Sequence, residues 1–160
     1  MPTLDEEALE GIAAELCHDS LGIDQVRGGP WTERAKAQLG YETLRRLERW
    51  APPRIRVPSG NDVAIEYSLD NPPSMSVRLQ ELFGWTETPR IAAGRVPLLL
   101  RLLAPNYREV QVTADLASFW STTYSEVRKE LRRRYPKHHW PERPLDATAS
   151  RSGLGRDARP

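Results

Sequence analysis

The sequence has one cysteine, Cys17, among its 160 residues. An internal disulfide is therefore excluded, and with it the stapled framework of a small secreted domain. Long apolar runs are also missing. The longest, Val96 to Ala104, is interrupted by Pro97 and Arg101, short of the ~20 residues that a membrane-spanning helix needs. The first residues are acidic rather than basic and then apolar, so no secretory leader is read. A cytoplasmic protein with no membrane partner is expected. There is no Gly-rich phosphate loop ending in Gly-Lys-Ser/Thr, no dinucleotide fingerprint and no Gly-x-Ser-x-Gly elbow. Cys17-His18 and His138-His139 are the clustered soft ligands. Neither pair has zinc spacing, so no metal site is expected. Cys17 has no nameable activating partner, and Glu66 and Glu81 have no spacing that makes them an acid–base pair. No catalytic residues are assigned.

Lys and Arg are missing from residues 1–26, which carry Asp5, Glu6, Glu7, Glu10, Glu15, Asp19 and Asp24. The opposite bias appears in residues 126–143, where Arg128, Lys129, Arg132, Arg133, Arg134, Lys137 and Arg143 face three glutamates. A net charge of +1 thus conceals one segment that repels phosphate and one that attracts it. Solvated helix faces would carry the same charges, so charge alone leaves both readings open. At 39% hydrophobic and 28% charged, the chain has the composition of a globular protein with one sizeable domain, or two small ones sharing a core.

The hydrophobic period divides the chain. Thr3 with Glu6 fits a capping box, and Leu9, Ile12, Ala13 and Leu16 follow as a helical stripe ending near His18 to Ser20. Gly28-Gly29-Pro30 breaks the chain. Trp31, Ala35 and Leu39, then Tyr41, Leu44, Leu47 and Trp50, carry two further stripes separated by Gly40. Ala51-Pro52-Pro53 stops the last one. From Arg54 the period is two. Ile55 and Val57, then Val63, Ile65 and Tyr67, read as a hairpin around Ser59-Gly60-Asn61-Asp62. Residues 74–79 make a third strand and 80–84 a short helix. Residues 85–95 read mostly as loop. Val96 to Leu103 reads as a strand buried on both faces, and Arg108 to Thr113 as a fifth strand with Val110 and Val112 on one face. Asp115 starts a helix through Phe119 and Trp120. Thr123 with Glu126 is a second capping box, opening a helix that turns Val127 and Leu131 inward and ends at Pro136.

Five strands with a helix between the third and fourth is the order of an OB-type core. The fold class read from the sequence is α+β: a five-stranded OB-type barrel-like core, an N-terminal helical segment and C-terminal helices. The expected divisions are 1–51 helical, 52–114 OB-like β domain, 115–144 helical extension and 145–160 a disordered tail poor in apolar anchors.

Four blocks in order also carry a family signal: Val-Arg-Leu-Gln-Glu-Leu-Phe-Gly (77–84), Thr-Pro-Arg-Ile-Ala-Ala-Gly-Arg-Val-Pro-Leu-Leu-Leu-Arg-Leu-Leu-Ala-Pro (88–105), Val-Gln-Val-Thr-Ala-Asp-Leu-Ala-Ser-Phe-Trp (110–120) and Tyr-Ser-Glu-Val-Arg-Lys-Glu-Leu-Arg-Arg-Arg-Tyr-Pro-Lys-His-His-Trp-Pro-Glu (124–142). Together they resemble the C-terminal region of the HrpB family of DEAH-box-type ATP-dependent helicases. The likeness is strong over residues 54–144 and weaker before them. The chain departs from the family pattern at Ala93, Arg101, Ala104 and Arg143, where Gly, His, Ser and Asp are expected. The resemblance implies a nucleic-acid-dependent ATPase, generally an RNA helicase, whose nucleotide site lies in two RecA-like domains outside this chain. ATP and magnesium are implied for the full-length family; no cofactor is expected in this chain. The resemblance also implies an OB-type domain followed by a family-specific extension.

The candidate nucleic-acid contacts are Arg128, Lys129, Arg132, Arg133, Arg134 and Lys137, as phosphate ligands. Trp120 and Tyr124 interleave with them as aromatic surfaces for single-stranded bases, and Arg78, with Arg54 and Arg56, stands on the strand face that OB folds use. Phe119 and Trp120 also fit a core, where large aromatics dominate. Single-stranded RNA or DNA is one expected partner. RecA-like helicase domains, in cis or in trans, are the other. A protein-docking module without nucleic-acid binding is the alternative function.

Overall fold

The structure, a computed structural model, describes residues 4–152. It divides into two compact units, Met1–Trp50 and Ala51–Pro160.

The first unit is helical: α1 (Glu6–His18), α2 (Ile23–Arg27), α3 (Trp31–Leu39) and α4 (Tyr41–Trp50). Thr3, the expected cap, lies outside the described residues. The observed N-cap of α1 is Asp5, whose carboxylate accepts from the Ala8 N–H at 3.0 Å; this is the same capping chemistry two residues later. Ile12, Leu16 and Val26 form a small core against Trp31 and Ala35. Leu9, expected in that stripe, is exposed. The Trp31 indole donates to the Val26 carbonyl at 2.7 Å, so the half-buried ring has its polar edge satisfied. Arg34 reaches back from α3 to Glu15 and Asp19, both at 2.8 Å. Gly40, at φ +70°, lets the chain turn between α3 and α4 in a region other residues avoid. No side chain of α4 is buried.

The described residues of the second unit form seven strands: β1 (Arg54–Arg56), β2 (Asp62–Ala64), β3 (Ser74–Arg78), β4 (Arg90–Ile91), β5 (Val96–Pro97), β6 (Leu99–Leu103) and β7 (Glu109–Thr113). They group as β1–β2, β3–β6–β7 and β4–β5, and a single Glu66–Ser74 bridge continues from β2 towards β3. No closed barrel forms among the described residues. β6 has both edges occupied, by β3 in parallel and by β7 antiparallel, and the remaining strands pair only with each other. The unit is a mixed α+β arrangement of small sheets and helices.

Residues 85–95 are mostly loop, as expected, with the two residues of β4 among them. Two local expectations change. The run 96–103 is not buried on both faces: Leu98, Leu100 and Leu102 are fully enclosed, whereas Arg101 between them is exposed. In β7, Val110 packs on the core but Val112 is exposed, because the β6–β7 ladder slips at Leu102/Leu103 and a bulge resets the alternation.

A 3₁₀ turn over Leu79–Glu81 follows β3. After β7, α5 (Leu116–Ser118), a π-type turn over Phe119–Thr123 and α6 (Tyr124–Arg134) run on without a break. Asp115 caps the start, accepting from the Ser118 N–H at 2.9 Å. The second capping box does not form. The Tyr124 N–H donates to the Phe119 carbonyl five residues back, and the Thr123 side chain makes no cap hydrogen bond. Glu126 instead pairs with Lys129 at 2.7 Å.

The core of this unit joins Met75, Val77 and Leu79 to Leu98, Leu100 and Leu102, and both sets to Leu116, Phe119, Leu131 and Trp140. Residues 145–152 do not behave as the disordered tail expected from composition. Ala147 and Ala149 pack on the core, and the Ser150 N–H donates to the Gln80 carbonyl at 3.1 Å. Gly84, at φ +82°, brings its N–H within 3.0 Å of the Pro144 carbonyl. Two small side chains and a backbone bond thus anchor residues 145–152. Residues 153–160 lie outside the described residues. No helix among those described is long and apolar enough to cross a membrane.

Candidate nucleic-acid interface

α6 sets the phase of every cation on it. Tyr124 and Leu131 are buried and Val127 is packed beside them, at i, i+3 and i+7, one stripe of a helix. Lys129, Arg132, Arg133 and Arg134 are exposed on the outside, as is Lys137 just past the helix end. The three consecutive arginines stand in the last turn, where the helix dipole favours cations. Arg132 and Arg133 form no ion pair with a described acid. Arg134 lies 4.0 Å from Glu130 and lines a cavity of about 160 Å³ with Arg108, Glu109 and Glu130. Lys129 is exposed and paired to Glu126.

The other candidates are held by the fold itself. Trp120 and Tyr124 sit in an aromatic cluster with Phe83 and Phe119, with ring centroids 5.0–6.4 Å apart. The Trp120 indole donates to the Trp85 carbonyl and the Tyr124 hydroxyl to the Pro141 carbonyl, each at 2.8 Å. Burial pushes the Tyr124 phenol well above its ordinary value, and nearby Arg128 opposes that shift. Neither ring presents a face for a base.

Arg128, on the same helix as the exposed arginines, turns to the segment that follows. Its Nε donates to the Trp140 carbonyl at 2.9 Å, and a terminal nitrogen pairs with Glu142 at 3.0 Å. That segment is fixed further by the Trp140 indole on the Tyr135 carbonyl at 3.0 Å and by a 3.0 Å contact between Gln80 Nε2 and His138 Nδ1.

Arg78 is pinned beneath the surface. Its Nε meets Glu81 Oε1 at 3.0 Å, and its guanidinium lies 5.3 Å from the Tyr107 ring centroid. Tyr107, in the turn between β6 and β7, carries no signal in the sequence pattern. It is exposed and held at φ +66°, a conformation disfavoured for a bulky residue. Arg54 donates to the Asp62 carbonyl at 3.0 Å across its hairpin. Among the described residues no group of three metal-ligating side chains occurs, and Cys17 is an exposed thiol.

This arrangement is a basic outer face on a rigidly seated helix, with no nucleophile or metal centre beside it. The sequence model of the HrpB ATP-dependent helicase C-terminal family matches residues 13–144. The chain belongs to that family. It is 40% identical over 154 residues to the Escherichia coli (strain K12) ATP-dependent RNA helicase HrpB, covering 94% of this chain and 19% of that protein. The crystal structure of the E. coli DExH-box NTPase HrpB superposes with a TM-score of 0.77 at 38% identity, over 97% of this chain and 19% of the solved one. A second crystal structure, of the E. coli DEAH/RHA helicase HrpB, gives 0.63 at 39% identity over 87% and 18%. The chain thus spans about a fifth of the relatives it matches. In this HrpB-family chain the question becomes what the exposed cations of α6 hold.

Proposed function

We propose that this chain is an accessory, nucleic-acid-binding end of an ATP-dependent RNA helicase. The exposed cations of α6 and the turn after it hold the phosphates of single-stranded RNA or DNA. The β unit acts as an OB-type platform, open rather than closed, and RecA-like motor domains, in cis or in trans, supply ATP hydrolysis. The observation that carries the reading is the sorting of cations along one helix. Arg128 is committed to the fold, whereas Arg132, Arg133 and Lys137 stand in solvent. Arginines with no acid partner that are held on a fixed helix lose little by meeting a phosphate, and the binding they give is independent of sequence.

The test is a titration with single-stranded RNA at two salt concentrations. It compares the parent with a variant carrying Arg132, Arg133, Arg134 and Lys137→Gln. Glutamine keeps the helix propensity, and none of the four positions is buried, so the fold is retained. The slope of log affinity against log salt should fall by up to ~3 units, at roughly 0.7 per contact. A folded variant that binds as tightly as its parent, with the same slope, would turn the basic face into a protein-docking surface.

A further inference from the structure

α4 carries a second cationic face on the other unit. At 3.6 residues per turn, Tyr41, Arg45, Arg49, Glu42, Arg46 and Trp50 follow one another around about half the helix circumference, and Leu44 and Leu47 fall on the opposite side. Arg45, Arg46 and Arg49 are all exposed. No described acid forms an ion pair with any of them. The guanidinium of Arg45 lies over the Tyr41 ring, 5.7 Å from its centroid. Glu42, Arg45, Arg46, Arg49 and Trp50 line a shared concavity of about 260 Å³. Three arginines and one carboxylate give that surface a formal charge of 3 − 1 = +2. The sequence pattern displays Tyr41, Leu44, Leu47 and Trp50 as a stripe, which hides the cations between them.

We propose that this face of α4 is a second contact for single-stranded nucleic acid, with Arg45, Arg46 and Arg49 on phosphates and the exposed Tyr41 ring beside them for a base. It shares the ligand class of the α6 reading but none of its residues. Four features favour a nucleic acid over an acidic protein segment. The cations are all arginine, whose planar fork matches phosphate oxygens in pairs. They stand beside the exposed Tyr41 ring, the combination that suits unstacked bases. That ring already stacks against a guanidinium, so the surface is partly organised before any ligand arrives. Arg45 and Arg49 are adjacent on the arc, separated by a rise of about 6 Å, and Glu42 falls beyond them, between Arg49 and Arg46.

The experiment is a titration of the isotope-labelled full chain with short oligouridine, followed by amide and arginine resonances, on the parent and on R45Q/R46Q/R49Q. No side chain of α4 is buried and glutamine is a good helix former, so the triple variant stays folded. In the parent, resonances of residues 41–50 should shift. In the variant those shifts should vanish and the salt slope should fall by up to ~2 units, at roughly 0.7 per phosphate contact. Shifts on α4 but not on α6 would uphold this proposal and remove the α6 reading. Shifts on α6 with α4 unmoved would overturn this proposal and keep the other; no shifts at all would overturn both. Poly-glutamate moving the α4 resonances as strongly as oligouridine does would overturn it in favour of an acidic protein partner.

Discussion

Arg78 Nε and Glu81 Oε1 meet at 3.0 Å, with the glutamate side chain 4% exposed and the arginine 19%. Ser59 completes the site by donating its hydroxyl to the other carboxylate oxygen at 2.9 Å. The pair ties the end of β3 to the 3₁₀ turn and, through Ser59, to the β1–β2 hairpin.

Replacing Arg78 by Met leaves a buried carboxylate with one hydroxyl partner. Removing one member of a buried pair is among the costliest single changes. With Arg78 still partly in solvent, a loss of about 2–3 kcal/mol is expected. Urea unfolding reads it directly, and Arg78→Met together with Glu81→Leu should recover much of the loss. A single variant as stable as the parent would show that the pair adds nothing to the fold.

Ala93 stands where the family pattern expects glycine, and its φ is +55°. The left-handed region costs a residue with a Cβ roughly 1–2 kcal/mol. Ala93→Gly should therefore stabilise the β4–β5 hairpin by about 1 kcal/mol. The check is a rise in the thermal midpoint; an unchanged or lower midpoint would contradict the strain.

Arg128 and Arg132, four residues apart on α6, should respond oppositely. Arg128→Gln loses the Trp140 and Glu142 contacts and should destabilise the chain by about 1–2 kcal/mol, while RNA affinity measured on the folded fraction holds. Arg132→Gln should leave stability within about 0.5 kcal/mol and weaken RNA binding. Paired denaturation and binding curves on the two variants separate the effects.

Tyr124 has a pH signature. Its folded-state pKa lies above the ordinary value of 10.0 because burial disfavours the phenolate. The unfolded chain gives up that proton first, so the contribution to stability is complete below pH 10 and drains away as pH rises beyond it. Unfolding curves collected through that window should show the parent losing more stability than Tyr124→Phe. Equal losses would mean that the phenol ionises freely in the native state.

Some of this was legible from the residues alone. The alternation at Ile55, Val57, Val63 and Ile65 placed a hairpin, because a half-buried strand shows its period directly. Val127 and Leu131 set the phase of α6, and with it the exposure of Arg132 and Arg133. Strand partnership was not legible: Leu100 and Leu102 look the same whichever strand lies beside them, so the parallel β3–β6 pairing had no sequence mark. β4 and β5 are two residues each, too short to show any period. The fates of Arg128 and Trp120 depend on the carbonyls of Trp140 and Trp85, distant groups that helical spacing does not report. Apolar content alone does not report residues 145–152, where Ala147 and Ala149 pack on the core and the Ser150 N–H bonds to the Gln80 carbonyl. In α4 the apolar stripe drew attention from the arginines beside it.

The parallel alignment of β3 with β6 also orders events in time. A parallel pair needs a long crossover, and here everything from Leu79 to Leu98 must be made before β6 can dock on β3. During synthesis the helical unit can settle early through contacts close in sequence, while Met75, Val77 and Leu79 wait without a cover. Non-local pairings of this kind form slowly, and exposed apolar strands are prone to aggregate in the interval. A chain cut between Gly84 and Leu98 should then be insoluble despite carrying every helix of the first unit, and one extended through Thr113 should regain its sheet.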